Sequence, residues 1–272
     1  MAGGKNGGLK RLRRLTLFGV IAGAAAWFAP IPTLILFICG SLDVGRHSRF
    51  RWPLVEEYFT SKGLVTWLLS PINLLADLAS RGGTGLVRFE DMPEAHRQEI
   101  EACVAAFIDN GDAIRTHIQE SLGATPRAML TFQWFGRAAP TAIRIPAFER
   151  RYRYVKTIAV STFSPRARTS WHFGPHRLTF RVLRNLDPIA SREAYVAVDD
   201  QVHRWADDPL MVFDDTMIHQ SVNNLDAARY CLFMDVIRPN NAQPLFDAAV
   251  AVLGLMAGPF KALFYRNWAF IR

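Results

Sequence analysis

Cysteine is scarce in this 272-residue chain, and the little there is does not pair. Cys39, Cys103 and Cys231 lie far apart in apolar surroundings, and no C-x-x-C spacing occurs. That excludes a zinc-ribbon or thioredoxin-type redox motif and reads as buried structural thiols in a reducing compartment. Internal repeats and low-complexity tracts are also missing, which excludes a solenoid or a disordered tail. Acidic residues are outnumbered, 24 against 32 Lys and Arg, for a net charge of +8. The surplus is not interleaved with aromatics as a nucleic-acid face would require. Instead Lys5, Lys10, Arg11, Arg13 and Arg14 cluster just ahead of an apolar run. This is the charge pattern of membrane topology, and no nucleic-acid partner is expected.

Charge is absent altogether from Leu15 to Leu42. A hydrocarbon core of about 30 Å needs only about 20 helical residues, so this run is long enough to enter a bilayer. Pro30 and Pro32 interrupt it, which leaves one kinked span or a re-entrant hairpin turning at 30-PIP-32. Arg46, Arg49 and Arg51 follow the run as the first cluster precedes it, and positive charge on both sides favours the hairpin. A cleaved signal peptide ending near 24-AAA-26 is disfavoured because the apolar run continues past it. The expected organisation is a basic N-terminus and membrane segment over 1–45 and a helical interfacial collar over 46–124. A β domain over 125–242 and an apolar tail helix over 243–272 complete it. In the collar 64-LVTWLLSPINLLADLAS-80 has a single Asp, and in the tail Lys261, Tyr265, Arg266 and Trp268 suit the headgroup level. Core helices of a soluble domain are the competing reading for both stretches. A helix from about Pro93 to Ile108, entered through 91-DMPE-94, reads as a surface helix, and His47, His96 and His117 as surface residues.

After about Thr125 the texture becomes that of short strands bounded by Gly, Pro, Asn and Asp. These are 154-YVKTIAVSTF-163, 178-LTFRVLRNL-186, 194-AYVAVDD-200, 209-PLMVFDD-215 and 229-RYCLFMDVI-237. With no helices between them they predict a mainly β fold, an antiparallel sandwich or jelly roll. The polar residues that would be costly to bury fall at strand ends. His172 follows the first strand, Arg181 sits inside an apolar run, His219 ends 213-FDDTMIH-219 and Arg229 opens the last strand. Strand ends meet at one mouth of a jelly roll. Two neutral imidazoles there can bind a divalent metal, and a guanidinium suits bidentate carboxylate recognition.

Four segments in order carry a resemblance: 132-FQWFG-136, 172-HFGPHRLTFR-181, 205-WADDPLMVFDDTMIHQSVN-223 and 229-RYCLFMDVIRP-239. Together they resemble the aspartyl/asparaginyl β-hydroxylases, and within these the membrane-bound lipid A hydroxylases of Gram-negative bacteria. The resemblance covers about Phe132 to Pro239. It implies a double-stranded β-helix that uses Fe(II), 2-oxoglutarate and O2. It makes His172 and His219, 47 residues apart, the iron ligands. It also makes Arg229 the partner of the distal 2-oxoglutarate carboxylate with Ser161 as its hydroxyl companion, and Arg181 a co-substrate contact near the metal. No H-x-D or H-x-E motif occurs, the position two after His172 being Gly174, and the family manages with two histidines. Asp214 and Asp215 read as structural polar residues near the mouth. Where the family has a further histidine this chain has Leu183, so His176 or Arg184 would have to substitute, or co-substrate affinity falls. Otherwise His176 and His203 are bystanders, and Arg166 and Arg168 are either solvated or face a phosphate-bearing substrate.

The expected activity is hydroxylation of the acyl chain of a membrane lipid, lipid A or a ceramide-like lipid. The expected location is the cytoplasmic side of a bacterial inner membrane. Hydroxylation of a protein Asp or Asn is the second reading, and a non-catalytic membrane-anchored module on the same scaffold is the third.

Overall fold

The computed structural model describes residues 4–48, 51–121, 126–264 and 268–272, with backbone alone at 4–7 and 257–264. The side chains of Lys5, Arg49, Thr125, Lys261, Tyr265 and Arg266, on which the sequence reading drew, lie outside it. The helical part opens with α1 (Gly4–Phe28), α2 (Pro30–Val44), α3 (Trp52–Thr60), α4 (Leu64–Leu68) and α5 (Ser70–Ala79). After β1 (Leu86–Val87) come α6 (Glu94–Asp109) and α7 (Gly111–Ser121). Next are β2 (Arg127–Trp134), β3 (Arg137–Ala138), α8 (Pro146–Glu149), β4 (Val155–Phe163), β5 (Thr179–Asn185), β6 (Ala194–Val198) and β7 (Gln201–Arg204). The chain closes with β8 (Leu210–Phe213), β9 (His219–Asn223), β10 (Arg229–Ile237), α9 (Gln243–Phe264) and β11 (Ala269–Ile271).

The main sheet runs β1-β8-β5-β10-β4-β2-β11, and a second sheet runs β7-β6-β9. Isolated bridges Arg168↔Val222 and His172↔His219 extend the second sheet by one more row beside β9. The chain therefore visits main, second, main, second, second, main, second and main sheet in turn from β4 to β10. That alternation is a jelly roll, as expected from the strand spacing. Because facing residues of an antiparallel ladder share a face, Ser161, Cys231 and Asn185 form one row across β4, β10 and β5. Phe233 and Leu183 form the next row and Asp235 with Arg181 the one after. These rows line the interior between the sheets, with Trp205, Met217, Val196 and Val198 opposite. The other face of the main sheet packs on Ile100, Cys103 and Phe107 of α6 and Ile114 and Ile118 of α7.

Several boundaries differ from expectation. Ala29 leaves helical geometry and Pro30 opens α2, where its missing N–H costs nothing. Phe18 and Phe37 then meet edge to face at 6.2 Å, although 19 residues of straight helix would hold them about 28 Å apart. α1 and α2 thus fold back on one another, as the hairpin reading requires. The membrane-anchoring role of this segment is not shown: among the described residues no helix is long and apolar enough to cross a membrane. The tail is not helical to its end. β11 pairs in parallel with β2, and Trp268 packs at 5.4 Å on Phe163. His47 and His96 are buried, not surface residues; His96, in the first turn of α6, stacks on Tyr154 at 3.8 Å. α6 begins at Glu94 with Pro93 as its cap and no side-chain capping bond from Asp91.

The helices share cores with the roll. Phe173 and Ile218, neighbours of His172 and His219, pack among Val44, Leu54, Tyr58 and Trp67. Gly40 lets α2 approach this closely, because a Cβ there would overlap the Trp67 indole. Beside this cluster is a buried chain of charges. Asp43 accepts from Tyr58 and pairs with Arg177, which also pairs with Asp77. Asp214 pairs with Arg46 and Arg238, each at 2.8 Å. Asp43→Ala is expected to destabilise the protein by about 1.5–3 kcal/mol in urea unfolding, because it takes one of two carboxylate partners from the buried Arg177 and the acceptor from Tyr58. A loss under about 1 kcal/mol would show the network to be neutral, as exposed pairs are.

Candidate active site

His172 and His219 exchange two backbone hydrogen bonds, at 3.0 and 2.9 Å, and so occupy one rung. Facing side chains on a rung project to the same side, and the two imidazole centroids lie 4.1 Å apart. Each ring is set by the same local device. Nδ1 of His172 lies 2.8 Å from the Ser170 carbonyl, and Nδ1 of His219 lies 2.9 Å from the Met217 carbonyl. A carbonyl only accepts, so both Nδ1 atoms carry the proton and both Nε2 atoms keep a lone pair. Burial pushes His172 down to about 4 and His219 well below its ordinary range, with the opposing imidazole adding to the effect on His219. Both are neutral at pH 7, as metal ligation requires.

Asp215 is the closest approach to a third ligand. A side chain at Gly174 would collide with the Asp215 carboxylate, so Asp215 fills from across the fold the space that a carboxylate two after His172 would take. Its Oδ2 is held by Arg181 at 2.9 Å, and among the described residues no three acidic, histidine or cysteine side chains form a metal cluster. Burial pushes Asp215 up to about 7, against the pull of Arg181 and with Asp235 and Asp214 adding to it. For its neighbour Asp214 burial also acts upward, but Arg238, Arg46 and Arg177 outweigh it and hold that carboxylate well below the usual range. The sequence reading of the pair as structural polar residues fits Asp214; the signal for Asp215 was the glycine at 174.

Arg229 is 3% exposed and its charge has no carboxylate partner among the described residues. Its guanidinium lies over Phe163 at 4.7 Å and Trp205 at 5.2 Å. Nη2 donates to Ser221 Oγ at 2.8 Å and Nη1 to Asn185 Oδ1 at 3.3 Å, while buried Nε has no partner. A buried cation with an orphaned donor is costly and fits an anionic ligand. Ser221 is two residues beyond His219 on β9, so alternation puts it on the His219 face, two residues along the strand from the histidine pair. The two-residue spacing from His219 is the only signal for it in the sequence, and it is usable only once this segment is known to be a strand. Ser161, expected as the hydroxyl beside Arg229, lies one row away and donates to the Cys231 carbonyl at 3.2 Å. Arg181 binds Asp215 and Asp235 and lies over Phe233 at 3.9 Å; it supports the site from behind Asp215. Leu183 is in the interior row between them, and Arg184 alternates to the opposite face, where it cannot replace the missing histidine.

His176 is buried behind the site, with Nδ1 unpartnered, and burial pushes it down to about 4. Its unfolded value is near 6.5, so between those two pH values the unfolded chain binds more protons and stability falls as pH falls. By pH 4 the loss from this one group is about 3 kcal/mol. Urea midpoints of the metal-free protein measured from pH 7 to pH 4 are expected to show it, and His176→Leu to flatten the profile. An unchanged slope in that variant would assign the acid sensitivity elsewhere. His203 rests its Nε2 against the Asp208 carbonyl and packs its ring on Trp205 at 4.9 Å, behind the Arg229 guanidinium; Arg166 pairs with Asp226 on the surface.

Comparison with known proteins agrees with the geometry. An ornithine lipid ester-linked acyl 2-hydroxylase of Rhizobium tropici is 31% identical over 84 residues, covering 30% of this chain and 30% of that protein. This chain therefore matches under a third of that relative's length. Among solved structures, an oxidoreductase of the 2OG-Fe(II) oxygenase family from Burkholderia pseudomallei is 15% identical, with a TM-score of 0.26. It covers 32% of this chain and 44% of that one. A cupin domain from Bordetella pertussis is 12% identical, with a TM-score of 0.23 and coverage of 30% and 81%. Scores this low carry no argument, and the jelly roll stands on its strand order. The family described as aspartyl/asparaginyl beta-hydroxylase matches residues 96–239, more than half of the chain and all of the rows just described. On that match, with His172 and His219 on one rung and Arg229 beside them, the chain belongs to the aspartyl/asparaginyl β-hydroxylase family.

Proposed function

We propose that this protein is an Fe(II)- and 2-oxoglutarate-dependent hydroxylase acting on the acyl chain of a membrane lipid. Nε2 of His172 and Nε2 of His219 would hold the iron. Arg229, with Ser221 and Asn185 orienting its fork, would take the distal carboxylate of 2-oxoglutarate, and Ser161 lies in the adjacent row for a further contact. Bound there, iron with 2-oxoglutarate and O2 supplies the oxidant that places one oxygen atom in an unactivated C–H bond, releasing succinate and CO2. The chain's own work is to fix both imidazole tautomers, neutralise the co-substrate and exclude water with Phe213, Met217 and Phe233.

One observation carries the choice of a lipid. Ile31, Leu34, Ile35, Ile38 and Leu42 recur at helical spacing on the exposed side of α2, and Leu64, Leu68, Ile72, Leu75 and Leu78 are exposed on α4 and α5. Contiguous apolar surface of this kind marks an interaction with membrane or partner. These helices are tied to the metal loops. Thr66 of α4 donates to the Gly174 carbonyl at 2.8 Å, and Asn73 of α5 accepts from the Arg177 N–H at 2.8 Å. The relative that hydroxylates a lipid acyl chain supports the same substrate class. Lipid A or a ceramide-like lipid fits this surface, and the cytosolic source of 2-oxoglutarate favours the cytoplasmic face of a bacterial inner membrane. The test is succinate release by Fe(II)-loaded protein with bacterial lipid extract, together with lipid mass spectrometry of a deletion strain. A lipid gaining the mass of one oxygen atom in the presence of the protein is expected. No succinate and an unaltered lipid profile would overturn the reading.

A further inference from the structure

α2 ends in Asp43 and Val44, the turn that follows carries Arg46 and His47 toward the roll, and His47 touches the neighbour of each proposed metal-site histidine. Its ring meets Phe173, next to His172, edge to face at 5.6 Å. Its Nε2 lies 3.0 Å from the backbone nitrogen of Ile218, next to His219. Nδ1 is 3.0 Å from the Val44 carbonyl, so Nδ1 carries the proton and Nε2 can only accept from Ile218. The carbonyl of Ile218 is taken in turn by the Asp199 N–H at 2.8 Å, and the Asp199 carboxylate accepts from Ser48 N–H at 2.6 Å. Arg46 completes the seam by pairing with Asp214, at the start of the same loop. The segment that leaves α2 therefore holds the N–H of the residue before His219 directly, through His47, its carbonyl by way of Asp199, and one face of the residue after His172.

We infer that His47 is a positioning residue of the metal site: it makes the spacing of His172 and His219 depend on the seating of α2. The inference rests on those two histidines being the metal ligands. Outer partners of metal ligands are worth about 10–100-fold in metal affinity, and His47 acts one residue further out, through the backbone of the ligand loop. His47→Phe keeps the ring that packs on Phe173 and removes the acceptor for Ile218; His47→Gln keeps an acceptor. Titration with Co(II) alone, followed by its absorption spectrum, is expected to show affinity weakened about tenfold or more in His47→Phe and largely restored in His47→Gln. Hydrogen exchange of the Ile218–Gln220 amides is expected to rise in His47→Phe while exchange in β4 and β10 does not. In the unaltered protein, histidine 15N spectra are expected to show His47 protonated at Nδ1, which keeps the inference testable if His47→Phe fails to fold. Unchanged Co(II) affinity in His47→Phe, a Gln variant no better than Phe, or an Nε2-protonated His47 overturns it. Absence of Co(II) binding by the unaltered protein would instead overturn the metal-site reading on which it rests.

Discussion

His219→Ala is expected to lose metal binding by at least about 100-fold and to abolish succinate formation, with the jelly roll intact. The size follows from the donor count. The proposed site offers two Nε2 atoms as ligands, since Asp215 is held by Arg181, and outer partners alone change affinity about 10–100-fold. His172→Ala is expected to match it, because both rings depend on the same rung and the same Nδ1 device. The measurements are bound metal after loading and buffer exchange, and far-UV circular dichroism to verify the fold. A variant that retains iron and turnover would remove His172 and His219 from the metal site. His117→Ala, on α7 behind the main sheet, provides the comparison and is expected to leave both quantities unchanged.

Arg229→Met is expected to raise the KM for 2-oxoglutarate by about 10- to 100-fold, the worth of a charge-assisted pair, with a smaller change in kcat. Arg229→Lys is expected to recover only part of this, because an ammonium cannot reproduce the fork set by Ser221 and Asn185. The same Met variant is expected to melt at a higher temperature than the unaltered protein when both lack co-substrate. Its side chain replaces a buried cation that, among the described residues, has no carboxylate partner and an unsatisfied Nε, while still packing on Phe163 and Trp205. Saturating 2-oxoglutarate should reverse the order, since the ligand stabilises only the form that binds it. A lower apo melting temperature in Arg229→Met would make this arginine a structural residue.

The strands now labelled β4, β5, β6, β8 and β10 were legible because alternating apolar runs ended at Gly, Pro, Asn and Asp. β9 was not, since Val222 is the one apolar residue in HQSVN, yet it carries His219 and Ser221. β11 was read as the end of a helix; its apolar AFI triplet becomes a strand only because β2 offers an open edge. His47 looked like a surface residue for a similar reason. Nothing local to the segment Gly45–Ser48 says that Ile218 will present an N–H to it from 171 positions away.

The order of His172, Arg181, His219 and Arg229, the prolines that break the N-terminal helix at Ala29, and the apolar stripes along α2 and α5 are properties of the chain itself. They fix the donor types and their intervals, and each could be read before any fold was known. Only closure of the two sheets decided that His172 and His219 share a rung, that Ser221 and not Ser161 meets Arg229, and that the Asp215 carboxylate fills the space beside Gly174. Register, the pairing of residues tens of positions apart, is set by how both sheets and the helices bury their apolar faces together, and no local pattern encodes it.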